Sequence, residues 1–185
     1  TFEGLSKIRE NLPLKLYFHN DEPDCCTMNI TTEKTYKDSY ISYFMMQSAY
    51  EQENPNINNF FEDVLQQNFN TLNAVIDILL LSLKYGNTFE IQIRGYASPL
   101  HNSDYNNKLS QRRLYSFINY LHQFKQGVLL EYMHSKKLLI NELYFGESTS
   151  PKKVSDNPNE KQKSIYSIEA MLQRKIEIID ITLVE

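Results

Sequence analysis

Between residues 60 and 85 the sequence places Val64, Leu65, Phe69, Leu72, Val75, Ile76, Leu79 and Leu80 three or four positions apart. That spacing predicts a long amphipathic helix, with Gly86-Asn87 as its stop. So continuous an apolar stripe has to be buried against another layer. Segments of period two supply that layer. F-E-I-Q-I-R at residues 89–94 alternates, as does L-P-L-K-L-Y-F at residues 12–18. Residues 138–145 read as a third strand, and K-I-E-I-I-D-I-T-L at residues 175–183 as the clearest one. A second main helix is expected from Ser103-Asp104 to about Phe124, its core stripe being Leu114, Phe117, Ile118 and Leu121. Residues 31–53 read as one further helix, rich in tyrosine, and residues 129–134 and 167–173 as short ones. The order β-α-α-β-α-β-α-β predicts an α+β domain with its helices on one face of the sheet. No repeat or linker divides it, so residues 1–185 read as a single domain.

Composition narrows the function. Of the 185 residues 41% are hydrophobic and 12% aromatic, enough for a core. Nineteen Lys and Arg against 23 Asp and Glu give a net charge of -4, without the basic stripe of a nucleic-acid module. The longest apolar run, residues 74–83, is interrupted by Asp77 and Ser82 and is too short and polar to span a bilayer. Thr1-Phe2-Glu3-Gly4 has neither the basic start nor the apolar stretch of a signal peptide, so an exported chain would be read here in its mature form. Adjacent Cys25 and Cys26 exclude a disulfide framework and leave compartment and redox state open.

The expected chemistry is binding. The four histidines are scattered, and neither metal-ligand spacings nor phosphate loops are visible, so no metal, cofactor or enzymatic activity is expected. The informative stretch is residues 94–121, where a strand ends at Arg94, Gly95 permits a sharp turn, and an irregular loop leads into a helix. Anions commonly bind where strand ends meet helix starts. At about 100° per residue, Asn106 and Arg113 fall at one edge of the apolar stripe, and Arg112 falls on the opposite, solvated side. An arginine at such a rim can hold a carboxylate with both ends of its fork, with an asparagine beside it to bond an amide. The plainer reading has Arg113 lay its stem over the core and pair with a surface carboxylate.

These residues also form a pattern. Gly95-Tyr96, Tyr105-Asn106, Leu109-Ser110 and Arg113 together resemble the peptidoglycan-binding domain of the OmpA family, which includes the periplasmic part of flagellar stator proteins and peptidoglycan-associated lipoprotein. Leu16-Tyr17-Phe18, Phe145-Gly146-Glu147-Ser148 and Arg174-Lys175-Ile176-Glu177 are similar, in the right order, to the family's first strand, G-x-G-E-S turn and closing strand. The resemblance implies an OmpA-like βαβαββ-type domain, with a mixed four-stranded sheet, two main helices on one face and a Tyr-rich insertion at about residues 31–53. It implies a periplasmic module that binds the diaminopimelate of the peptidoglycan stem peptide and anchors an outer-membrane or secretion-system assembly to the wall. By position, Arg113 would hold the diaminopimelate carboxylate and Asn106 an amide, with Leu109 in the same motif. Asn20 and Asp21 would border the pocket, and Arg174 is a further candidate.

Two departures bear on that expectation. The family usually carries Thr-Asp after its Gly-Tyr, and the Asp pairs with the ligand's ammonium group; here Ala97-Ser98 stands instead. Ser98 offers only a neutral hydrogen bond, so Asp21 or Asp104 would have to supply the charge. The variant loop and the Tyr-rich insertion look like a subgroup from Bacteroidetes-type bacteria that includes the wall anchor of a type IX secretion machinery. The insertion reads as a helix enlarging the core, or else as a docking face of surface tyrosines. The alternative functions are accordingly a protein-interaction scaffold that has lost wall binding and a wall hydrolase.

Overall fold

The computed structural model describes residues 2–144 and 154–185. Among these residues, apart from a 3-10 turn at Phe124–Gln126, twelve elements follow in order: α1 (Phe2–Glu10), β1 (Leu14–Tyr17), α2 (Tyr36–Phe44), α3 (Gln47–Glu53), α4 (π-wound over Phe60–Gln66, then α-helical over Gln67–Lys84), β2 (Thr88–Gly95), α5 (Ser103–Gln123), α6 (Leu130–His134), β3 (Leu138–Tyr144), α7 (Lys161–Ser164), α8 (Ile168–Met171) and β4 (Lys175–Val184). The expected α+β class and four-stranded mixed sheet are present. Strand order is β1-β4-β2-β3, with β4 antiparallel to both neighbours and β2 parallel to β3. Phe145-Gly146-Glu147-Ser148 lies outside the described residues.

One face of the sheet makes the core. Phe89, Ile91, Ile93, Ile176, Ile178 and Ile181 pack there against Leu72, Val75, Ile76, Leu79 and Leu83 of α4 and Leu114, Phe117 and Leu121 of α5. The double isoleucine that breaks the alternation in K-I-E-I-I-D-I-T-L is a β-bulge. Gln92 pairs with Asp180 and Ile93 with Ile178, so Ile179 is the extra residue and Ile178 and Ile181 both stay buried.

The structure corrects several expectations. α1 precedes the first strand, burying Ile8 and packing against α4. The spacing of Leu5, Ile8 and Leu12 carries that helix, but the segment is short. The single helix expected over residues 31–53 is two. Thr35 caps α2 reciprocally with Asp38, so the helix starts five residues later than expected, and the chain breaks at Met45-Met46 before α3. The tyrosines of this insertion point inward. Tyr36, Tyr43 and Tyr50 are fully buried, the last two in a second cluster with Tyr17, Phe60, Phe61 and Met171. The insertion therefore enlarges the core.

Gly95 serves a different purpose from the sharp turn expected of it. It is the last residue of β2, and a Cβ there would stand 2.7 Å from the backbone oxygen of Ser110 and 3.2 Å from Leu114 Cγ. The glycine lets α5 lie directly against the strand end. A Gly95→Ala variant is expected to lose about 1–3 kcal/mol of stability by urea denaturation, because the clash is with a helix backbone that cannot swing aside. An unchanged midpoint would show that the approach is not tight.

Candidate functional site

The close approach at Gly95 sets where the first turns of α5 can reach. Asn102 caps the helix by accepting from Tyr105 N at 2.8 Å, and Asn106 Nδ2 donates to His101 O at 2.8 Å. Ala97, Tyr105 and Leu109 form a small buried cluster within this connection. The loop of residues 96–102 is thereby pinned to α5, with Ser98 buried in it. Asn106 is fully buried, and its amide nitrogen is committed to holding the loop.

Arg113 reaches from α5 to the ends of two strands. Its Nε donates to Glu22 O at 2.9 Å, Nη1 to Tyr96 O at 2.8 Å and Nη2 to His19 O at 3.4 Å. Its carbon stands 5.2 Å from the centre of the Phe18 ring. The residue is fully buried, deeper than the rim position expected, and its partners are backbone carbonyls rather than a surface carboxylate. A guanidinium has five N–H groups, so these three bonds leave one on each terminal nitrogen.

Arg112 contradicts the expectation most directly. It is fully buried, with Nε donating to Pro23 O at 2.7 Å and Nη1 to Thr27 O at 3.2 Å and Asn29 O at 2.6 Å. The side of α5 opposite its core stripe is covered by the chain between β1 and α2. Asn119 Nδ2, on the same helix, donates to Thr32 O at 2.7 Å and Lys34 O at 3.0 Å. Arg112 therefore clamps a loop in which Asp21, Asp24 and Cys26 all adopt left-handed φ, a conformation L residues hold only when the surroundings impose it.

Arg174, just before β4, is the third fully buried arginine. Its Nε donates to Phe18 O at 3.3 Å, and Nη2 donates to Tyr50 OH and Ile165 O, both at 3.0 Å. His19 lies between Arg174 and Arg113, with Nδ1 2.7 Å from Tyr50 OH. Burial, with the charges of Arg174 and Arg113, lowers its pKa to about 3. The ring is neutral at physiological pH, an outcome the scattered spacing of the histidines gave no reason to expect. Burial and the Arg174 charge lower Arg113 to about 9, against the pull of Asp21, so it remains charged at neutral pH.

Asp21 is the acid of this site. Its side chain is 13% exposed, one oxygen accepts from Tyr105 OH, and the other lies 3.7 Å from His101 Nε2. Burial and the adjacent Asp21 carboxylate both raise the Tyr105 phenol, so it stays protonated and donates. Asp104, the other candidate acid, is exposed and paired with Lys108 at 2.9 Å along the outside of α5. Asn20 neighbours Asp21 in the same loop and is half-buried. Of the expected residues, the structure thus gathers Arg113, Asp21, Ser98, Asn106, Leu109 and Asn20 around the β1 and β2 ends, with Arg174 behind them toward the aromatic cluster.

No known protein family and no curated protein matches this chain. The functional reading accordingly rests on the residues themselves.

Proposed function

We propose that this domain is a non-catalytic peptidoglycan-binding module that holds the diaminopimelate of the stem peptide and anchors an outer-membrane or secretion-system assembly to the wall from the periplasm. The observation that carries the reading is the unbalanced buried charge. Three guanidiniums are fully buried, and among the described residues none lies within ion-pair distance of a carboxylate. Buried charges are ordinarily paired, so a cationic site of this kind favours an anionic ligand. Arg113 has the N–H pair for a bidentate carboxylate, and Asp21, whose charge it feels, suits the ammonium group of the same amino-acid terminus. Asp21 takes the place that Ser98 leaves without charge. Because Arg113 is below the surface, the ligand reaches it by displacing neighbours along the Asp21, His101 and Tyr105 rim.

Calorimetric titration with two stem peptides tests this, one carrying diaminopimelate and one carrying lysine at the same position. The two differ by the carboxylate assigned to Arg113. Saturable binding of the first, weaker by about 10–100-fold for the second, is expected from the loss of a charge-assisted bidentate contact. Arg113→Lys, which keeps the charge but loses the fork, should show the same loss while remaining folded by circular dichroism. Equal affinity for both peptides, or no binding to either, overturns the reading.

A further inference from the structure

The loop that Arg112 clamps carries two cysteines beside the Asp21, His101 and Tyr105 rim of the proposed ligand site. Cys25 and Cys26 are joined as a vicinal disulfide, and both are exposed. Each of Asp21, Cys25 and Cys26 offers a donor atom, and these atoms lie within 4.8 Å of one another. The Asp21 oxygen nearest Cys26 Sγ, at 4.0 Å, is the oxygen that also faces His101 Nε2 at 3.7 Å. Asp21's other oxygen is held by Tyr105 OH, and the same hydroxyl accepts from Cys26 N at 3.3 Å. Two sulfurs and one carboxylate oxygen therefore converge, and the His101 nitrogen stands beside that carboxylate, outside the 4.8 Å grouping of the other three.

We infer that the reduced Cys25-Cys26 pair, with Asp21 and His101, forms a four-ligand site for a thiophilic divalent cation of the zinc and cadmium class. Thiolate and imidazole donors select such metals over magnesium or calcium. In a tetrahedral zinc site neighbouring ligand atoms stand about 3.3–3.8 Å apart, given metal–ligand bonds of about 2.0–2.3 Å. Reaching that range requires the exposed Cys25, Cys26 and His101 side chains to rotate toward the Asp21 oxygen that Tyr105 leaves open. Positioning partners are already in place, since Tyr105 fixes the carboxylate with one oxygen turned to the site and Arg112 fixes the loop backbone. Charge favours binding as well. Two thiolates and a carboxylate around a divalent cation leave one negative charge, beside Arg112 and Arg113.

The disulfide and the metal are alternative states of this site. A dithiol reductant breaks the S–S bond, the two sulfurs take up two electrons and two protons, and the reductant leaves as its own disulfide. Metal binding then displaces both protons and gives the two thiolates. A disulfide oxidant reverses this by exchange: the two sulfurs give up two electrons, the oxidant is reduced and protonated to two thiols, and the metal is released as the S–S bond re-forms.

The probe is cadmium alone, added to the whole chain. The protein is reduced with a phosphine, its two thiols are counted, and cadmium is titrated anaerobically while the sulfur-to-metal charge-transfer absorption is followed. One equivalent is expected to saturate reduced wild type, with zinc displacing it, and the oxidised protein and the Cys25→Ser/Cys26→Ser double variant should show no band. His101→Ala and Asp21→Asn should each keep the band but bind about tenfold or more weakly. Reduced wild type binding no better than the double serine variant overturns the site. Full affinity in both His101→Ala and Asp21→Asn reduces it to a bare dithiol and overturns the four-ligand assignment. Neither result bears on the stem-peptide reading, which the metal-free protein tests separately.

Discussion

Arg112→Met is expected to lower the melting temperature by about 10 °C. Methionine retains much of the stem's packing but none of the donors. Pro23 O, Thr27 O and Asn29 O would then lose the guanidinium that joins them. Hydrogen bonds to a charged donor contribute about 1.5–3 kcal/mol each, and partial hydration of the freed carbonyls recovers some of the loss, so a net cost of about 3 kcal/mol is reasonable. For a chain of this size that corresponds to the stated shift. Lys108→Ala is the matched control. Its ion pair with Asp104 runs along the exposed side of α5 and contributes about 0.5 kcal/mol at most. Thermal unfolding followed by circular dichroism separates the two, and an Arg112→Met protein melting within 2 °C of wild type would show that the loop does not depend on the clamp. The same variant should loosen Asp21, because that residue sits in the chain that Arg112 holds.

Arg112 also shows where sequence reading stops. The core-facing stripe of α5 was legible because Leu114, Phe117 and Leu121 are apolar and meet an apolar sheet. The opposite side of the helix meets backbone carbonyls of the β1–α2 chain, and polar side chains are what such a surface requires. A side chain that satisfies buried carbonyls and one that faces water look alike in a hydropathy pattern, so Arg112 read as solvated. The strands, α4 and α5 emerged near their expected bounds for the converse reason, since one apolar face decided each of them. α1 is two and a half turns with few apolar positions, too brief for periodicity to stand out. Within the site, Arg113, Asn106 and Asp21 could be named from the sequence. The gathering of His19, His101, Tyr105 and the two cysteines could not, because the loops that bring them together carry no period.

His19 gives the second large effect, a dependence of stability on pH. In the unfolded chain its ring protonates near the usual 6.5, whereas in the fold burial and the neighbouring Arg174 and Arg113 hold it down to about 3. Between those values the unfolded state carries one more proton than the native state, so stability rises with pH through the window and is lost as pH falls. The slope is about 1.4 kcal/mol per pH unit, and from pH 6.5 to pH 4 the loss approaches about 3 kcal/mol. Other groups add to the observed curve. Glu142, raised by its burial, opposes the trend above its ordinary range, and Asp24, held below its usual value, destabilises only at lower pH. Both are common to wild type and a His19→Gln variant, so the difference between the two proteins isolates the imidazole. Glutamine keeps a polar group for Tyr50 OH and does not titrate. Urea midpoints measured from pH 4 to pH 7 should fall steeply for wild type and more gently for the variant, the two curves diverging by about one proton's worth of slope. Parallel curves would mean that His19 protonates within the fold, and the ring would then stand outside the field of Arg113, the arginine that the proposed ligand carboxylate is to meet.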